Sequence, residues 1–302
     1  MASVSVRGVP SSDGRADATA PFRWDLVEPA ALGGLLDGVA TPALWFAPEL
    51  SRCAGKVLAR SASGDLAFVG RSLDSMFDLL SGVLSGTDGA PMLTRLPLSF
   101  AREWDGPERR RLSLAERDVA RSVLEASGLT PYTAARRSTP ITFVDVAYTG
   151  GTFRDLYLLI REWVEDERAQ WDVIRKKIRF LGVTSRTRTS PNTFRWAQHQ
   201  PWTKDLPGKS VISVSLDAWV WSYLGNEQPK LTRSYAPRTW LAEAQGPGRD
   251  DRTRAALAEA VALVAYGRTG EARNLVADAM ADEPALAQSW LRTLRSRLAG
   301  RP

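Results

Sequence analysis

The residues whose chemistry stands out lie between positions 145 and 152, where an acid is followed by hydroxyl-bearing residues and glycines. Glycine lets the backbone approach a bound group closely, and threonine hydroxyls donate hydrogen bonds. A carboxylate does not bind a phosphate, but it suits hydroxyls or a cation held beside one. The pattern therefore predicts a site for an anion, most naturally a phosphate. Its residues are Asp145, Tyr148, Thr149, Gly150, Gly151 and Thr152.

The elements that would position these residues are a strand and a helix. Residues 141–145 form an apolar run typical of a short buried strand, and from Phe153 apolar residues recur with helical spacing. The turn between them would leave backbone N–H groups of the helix N-terminus pointing outward, with the positive end of the helix dipole behind them. An ordinary strand–turn–helix of an α/β domain has the same pattern and remains the alternative.

A second strand–turn–helix pattern occurs earlier, at residues 66–82. Its turn is Gly70, Arg71 and Ser72, in which Ser72 is predicted to cap the helix. Arg71 would pair bidentately with a diphosphate, although a surface arginine after a strand is an equal alternative. Because the carboxyl ends of parallel strands meet at one edge of a sheet, the two turns together fit one ligand with phosphates at both ends.

The stretch from Ile141 to Thr152 resembles the signature of type I phosphoribosyltransferases, which bind phosphoribosyl pyrophosphate (PRPP). In that family a hydrophobic strand and two adjacent acids precede a Thr-Gly-Gly-Thr loop. The loop holds the 5-phosphate, the acids contact the ribose hydroxyls, and the first strand–helix turn binds the pyrophosphate. Here Val146 follows Asp145, so one acid is absent, and the loop is one residue shorter.

The resemblance implies PRPP as the ligand, with Mg²⁺ carried by it, and transfer of phosphoribose to an unidentified acceptor with release of pyrophosphate. Asp145 would be the catalytic residue. The loop after the next strand, which carries Arg186, is where the family places residues near the acceptor. Arg186 is therefore included among the substrate-binding residues. Three aromatic residues beyond it would stack on a flat acceptor or belong to the core: Phe194, Trp196 and Trp202.

Two other functions fit parts of the same sequence. A non-catalytic sensor of PRPP or nucleotides on the same fold is favoured by the missing second acid. Nucleic-acid binding through the Arg- and Trp-rich residues 186–202 rests on composition alone, and we do not expect a nucleic-acid partner.

The order of apolar runs predicts an α/β fold with a mainly parallel sheet of phosphoribosyltransferase type and helices on both faces. Pro97 places the second strand at an edge, and residues 211–215 alternate like an edge strand. The predicted strands lie near 66–69, 92–96, 141–145 and 178–184.

Three segments are predicted along the chain: a loosely ordered lead-in (1–20), the phosphoribosyltransferase-like domain (21–245) and a small helical appendage (251–302). The appendage is similar to a tetratricopeptide hairpin. One such unit cannot bury its own apolar face. It should therefore dock on the main domain, or on a second copy of the chain to form a homo-oligomer.

The composition of the 302 residues excludes several classes of site. Cys53 is the only cysteine and His199 the only histidine, which excludes an intramolecular disulfide, a cysteine zinc cluster and a multi-histidine metal site. The net charge of +6 favours polyanionic ligands. No apolar run reaches membrane-spanning length and no signal peptide opens the chain, so we expect a cytoplasmic protein without a membrane partner.

Overall fold

The protein is built around one parallel sheet. The computed structural model describes residues 21–100, 112–188, 195–242 and 246–300, so the predicted lead-in at 1–20 lies outside the described residues. The strands are β1 (Asp65–Val69), β2 (Leu93–Leu96), β3 (Ile141–Val146), β4 (Ile178–Ser185) and β5 (Val211–Leu216). Their order across the sheet is β2-β1-β3-β4-β5, and every neighbouring pair is parallel. The predicted parallel sheet is confirmed, and β2 and β5 are its edge strands.

Helices alternate with the strands and continue beyond them. They are α1 (Ala47–Arg60), α2 (Asp74–Val83), α3 (Leu114–Ala126), α4 (Pro131–Arg136), α5 (Gly151–Asp166), α6 (Trp171–Ile174), α7 (Ala218–Ser222), α8 (Asp251–Gly267), α9 (Gly270–Ala279) and α10 (Ser289–Leu298). The apolar residues from Phe22 to Leu58, broken by Pro29, Pro42 and Pro48, predict one or two short helices and a strand. The structure has no strand in that range, where prolines interrupt the extended backbone that a ladder needs.

Alternate residues of the strands point into two different cores, because successive side chains of a strand face opposite sides of the sheet. Leu66 and Phe68 of β1 pack in the same core as buried residues of α1 and α2. Ala67 and Val69 pack in the other core with buried residues of α3 and α5. The strands are thus covered by apolar side chains from both sides, which explains why β1 and β3 are almost entirely apolar.

The C-terminal helices pack on the helices of the first core. α8 lies against α2, and α9 lies against α1. These contacts are close: a Cβ atom on Gly82 of α2 would overlap the carbonyl oxygen of Val264 in α8, and a Cβ atom on Gly55 of α1 would overlap that of Val276 in α9. All ten residues of α2 are buried. The C-terminal helices therefore pack on the main domain, which is one of the two locations predicted for them.

The strand order determines where a ligand can lie. From β1 the chain passes to β2 at one edge, and then returns to β3 on the other side of β1. The connections that leave β1 and β3 therefore run to opposite sides, so the strand order reverses at the carboxyl ends of these two strands. Open α/β sheets bind ligands at such a point.

Candidate functional site

The loop between β3 and α5 begins where the strand order reverses. Gly150 adopts a left-handed conformation with a φ of 78° and is the N-cap residue of α5. Because glycine has no side chain to accept hydrogen bonds, it leaves the N–H groups of the first turn to another acceptor. The sixteen-residue helix behind them places the positive end of its dipole at the same point. The predicted arrangement of strand, glycine turn and helix is present.

The same loop is held from behind by an aromatic core. A Cβ atom on Gly150 would lie 2.5 Å from the ring of Trp196, so this glycine is required for packing as well as for its φ angle. Gln200 donates a hydrogen bond from Nε2 to the carbonyl oxygen of Thr149 at 2.7 Å. Trp196 and Trp202 are buried, and Trp202 stacks on Tyr157. Both tryptophans belong to the core rather than to an acceptor site, and Phe194 lies outside the described residues.

Asp145 lies at the end of β3 and is only 6% exposed. Its Oδ1 accepts a hydrogen bond from the N–H of Val146 at 2.8 Å, and the side chain of Thr152 also donates to the carboxyl group. Burial raises the pKa of Asp145 to about 8, although these hydrogen bonds and the charge of Lys230 oppose the shift. At neutral pH the side chain is therefore mainly a neutral carboxylic acid, whereas the sequence analysis treated it as a carboxylate.

The turn after β1 differs from its prediction in one respect. Gly70 has a φ of 70°, and its N–H donates to the carbonyl oxygen of Leu96 at 2.8 Å. The N-cap of α2 is Leu73, so the prediction that Ser72 caps this helix is wrong. The first turn of α2 instead contains Asp74, whose carboxylate pairs with Arg95 at 3.1 Å. An acid in the first turn of a helix also interacts favourably with the positive end of the helix dipole.

A buried set of charges holds the start of α2. Arg23 pairs with Asp78 at 2.6 Å and lies 3.9 Å from Asp74. Burial raises the pKa of Asp78 to about 6, with the neighbouring charge of Asp74 adding to the shift and Arg23 opposing it. Burial also disfavours ionised Asp74, but Arg95 and Arg23 outweigh that effect and lower its pKa. Two acids thus face two guanidinium groups, which gives this cluster a structural role.

Arg71, by contrast, bonds to a backbone carbonyl group. Its Nη1 donates to the carbonyl oxygen of Thr232 at 2.7 Å, and it forms no ion pair within the described ranges. Burial lowers its pKa, with Asp74 opposing the shift and Arg252 adding to it. Arg71 and Ser72 line a cavity of about 350 Å³, together with Lys230 and the start of α8. The predicted role of Arg71 as an anion ligand is compatible with this position.

Lys230 lies between the turn after β1 and the segment after α7. Its Nζ donates to the carbonyl oxygen of Leu224 and to Oε1 of Gln228, both at 2.7 Å, and to the carbonyl oxygen of Ser72 at 3.3 Å. Burial lowers the pKa of Lys230 to about 8, and the charges of Asp74 and Asp145 are among those acting on it. The residues from 148 to 152 do not line the cavity beside Lys230. The turn after β1 and the loop after β3 are neighbours because their strands are adjacent. Only the turn after β1 borders the cavity.

The two remaining predicted site residues lie on exposed surfaces. Tyr148 is 53% exposed, and its ring centre lies 6.4 Å from that of Trp221. Arg186 is exposed and pairs with Glu49 in the first turn of α1. Lys230 is not among the residues that the sequence predicts, because it follows an irregular segment in which no spacing or motif distinguishes it.

Other chemistries find little support in the part of the chain that the structure covers. It contains no group of three or more His, Cys, Asp or Glu side chains arranged to hold a metal ion. Cys53 is buried in α1, and burial raises the pKa of its thiol to about 12, which makes it a poor nucleophile. None of the helices in the described ranges combines the length and apolar character needed to cross a membrane.

The chain matches no protein-family model, no curated protein and no solved structure. The resemblance to type I phosphoribosyltransferases therefore depends on the residues between 141 and 152 and on the site that they form.

Proposed function

We propose that the chain binds PRPP at the carboxyl edge of its sheet and transfers the phosphoribosyl group to an acceptor. One observation carries the proposal. β1 and β3 are adjacent and parallel, with Leu66 paired to Thr142, and each ends in a turn that contains a left-handed glycine. The two turns flank the point where the strand order reverses, which is where open parallel sheets bind phosphorylated ligands.

In this proposal each part of PRPP meets a different group. The 5-phosphate accepts hydrogen bonds from the first N–H groups of α5 and from the hydroxyl of Thr149, while the hydroxyl of Thr152 stays on Asp145. The ribose hydroxyls lie beside Asp145, and the diphosphate lies toward Arg71. Mg²⁺ arrives with the diphosphate, because the described residues offer no cluster of acids to hold it beforehand.

The proposed reaction is a displacement at C1 of the ribose. The acceptor nucleophile forms a bond to C1 while the bond from C1 to the pyrophosphate oxygen breaks, and the electron pair leaves with pyrophosphate. The acceptor's proton passes to solvent. Positive charge develops on the ribose and negative charge on the leaving group, so the protein contributes by positioning and electrostatic stabilisation. Arg71 and the charge of Lys230 act on the leaving group, and Asp145 must lose its proton before it can stabilise the ribose.

Calorimetric titration with PRPP and Mg²⁺ tests the binding step. Thr149→Ala removes a hydroxyl donor, and Gly151→Val hinders the approach of the phosphate to the backbone. Each should weaken binding by about 1–3 kcal/mol, the usual range for a hydrogen bond to a charged group. Gly208→Val is the matched control, since Gly208 has open space around it. Unchanged PRPP affinity in both loop variants would remove the site.

The second candidate is a PRPP sensor on the same fold. It is favoured by the buried and mainly protonated Asp145, which stands where type I phosphoribosyltransferases have two acids. An assay of pyrophosphate release separates the candidates. An enzyme releases pyrophosphate with at least one acceptor, and Asp145→Asn lowers kcat by a larger factor than it weakens PRPP binding. A sensor binds PRPP and releases no pyrophosphate with any acceptor.

A further inference from the structure

Positive charge is concentrated in the wall of the 350 Å³ cavity beside Arg71. Four of the side chains that line it are cationic: Arg71, Lys230, Arg233 and Arg252. The one acid among them is Asp250, whose carboxylate is already used as the N-cap of α8. It accepts hydrogen bonds from the N–H and the hydroxyl group of Thr253, both at 2.9 Å. The wall therefore has an excess of positive charge that its own acid does not offset.

The four cationic side chains differ in how many of their N–H donors remain available to a ligand. Lys230 gives its hydrogen bonds to three neutral oxygens, so it contributes charge rather than direct contact. Arg71 uses Nη1 for Thr232, which leaves the rest of its guanidinium group available. Arg233 and Arg252 are exposed and form no hydrogen bond or ion pair with any described residue. Three guanidinium groups thus keep donors for a bound group.

We propose that this cavity binds a compact polyphosphate group, either free or at the end of a nucleotide, through Arg71, Arg233 and Arg252. Guanidinium groups bind phosphate oxygens bidentately, and several together select a ligand with more than one phosphate. The N-terminus of the seventeen-residue helix α8 lies in the same wall and adds the positive end of its dipole. The cavity volume falls at the lower end of the range of about 300–1,000 Å³ that is typical of small-molecule sites.

This site is separate from the proposed contacts of the 5-phosphate. Lys230 and Arg233 belong to the segment after α7, and Arg252 to the first turn of α8, so neither segment contributes to the loop between β3 and α5. Arg71 and Lys230 are shared with the proposed position of the PRPP diphosphate, whereas Arg233 and Arg252 belong to this cavity alone. The inference therefore stands whether or not the chain binds PRPP.

The test is calorimetry in magnesium-free buffer with inorganic pyrophosphate, tripolyphosphate and adenosine triphosphate as three separate probes. We expect at least one probe to bind at a single site. Arg233→Gln and Arg252→Gln should each weaken that binding by about tenfold, since each removes charged hydrogen bonds. Both residues are exposed, so the variants should fold, which circular dichroism verifies. Tighter binding of the nucleotide than of tripolyphosphate would assign the site to a nucleotide, and the reverse to a free polyphosphate.

Two controls keep the result specific. Lys204→Gln removes one positive charge from an exposed position outside the cavity lining and should leave the affinity unchanged. Gly151→Val alters the loop after β3 and should also leave pyrophosphate binding unchanged, even if it abolishes PRPP binding. The proposal is overturned if no probe binds, if both arginine variants bind like the wild type, or if Lys204→Gln weakens binding as much as they do.

Discussion

Asp145 shows how burial changes the chemistry of a single residue. Its pKa of about 8 lies well above the ordinary value of 3.8, so between these values the folded chain holds a proton that the unfolded chain has lost. Stability falls with rising pH wherever the folded state binds more protons. This carboxyl group therefore lowers the free energy of unfolding progressively as the pH rises from about 4 to about 8.

Replacing Asp145 with asparagine removes that pH dependence. We expect the Asp145→Asn variant to gain stability relative to the wild type between pH 5 and pH 8, with the larger gain at the higher pH, because an amide has no proton to lose. Urea unfolding at several pH values measures the difference. Asp78 also has a raised pKa, but it is present in both proteins and its contribution cancels. Asp118→Asn, at an exposed position of α3, is the control. If the difference in free energy of unfolding between Asp145→Asn and the wild type did not change with pH, the raised pKa of Asp145 would be contradicted.

At the scale of elements, the contact between α2 and α8 depends on glycine. A Cβ atom on Gly82 would overlap the backbone of Val264, and one on Gly267 would overlap the backbone of Leu79. A backbone carbonyl cannot move aside as the end of a flexible side chain can, so a methyl group at either position must separate the helices.

Gly82→Ala should therefore destabilise the protein, although alanine favours a helix over glycine by about 1 kcal/mol. Overpacking usually costs about 1–3 kcal/mol, and rigid backbone on both sides places this case toward the upper end. Gly270→Ala, at the first residue of α9 with open space around it, is the matched control and should be neutral or stabilising. Denaturant midpoints compare the two. A Gly82→Ala protein as stable as the wild type would show that the helices can separate without cost.

Some elements could be predicted from the sequence because their signals are local. The apolar runs of β1, β3 and β4 all lie where the sequence predicts them. The N-cap of α2 could not be predicted, because the start of that helix depends on tertiary contacts. Asp74 occupies the first turn because Arg95, a residue of β2, neutralises it there.

At the scale of the whole molecule, the candidate site also combines features that could be predicted from the sequence with features that could not. Both glycine turns could be predicted, and the rule that parallel strands end at one edge placed them side by side. The charge state of Asp145 could not be predicted, because it follows from burial by the surrounding core. Lys230 could not be predicted either, since its position depends on Gln228, Leu224 and Ser72, which lie in two separate parts of the chain.

The C-terminal helices were predicted to form an appendage, and their contacts suggest a test on the whole chain. Val276 and Met280 are fully buried in the same core as residues of α1 and α2. A chain ending at Asp250 should therefore expose apolar surface and lose its cooperative thermal transition, as measured by circular dichroism. A chain ending at Ala299 is the control and should unfold like the full protein. Cooperative unfolding of the shorter chain would instead show that the main domain folds without the C-terminal helices.

The complete burial of α2 has a consequence for motion. A helix without an exposed face exchanges its amide protons only when the surrounding structure opens, so α2 belongs to the most slowly exchanging part of the molecule. The Gly70–Ser72 turn is attached to this buried helix, whereas the loop after β3 presents Tyr148 and Thr149 to solvent. We therefore expect the amide protons of α2 to exchange much more slowly than those of Tyr148 and Thr149, which hydrogen-exchange measurements would check.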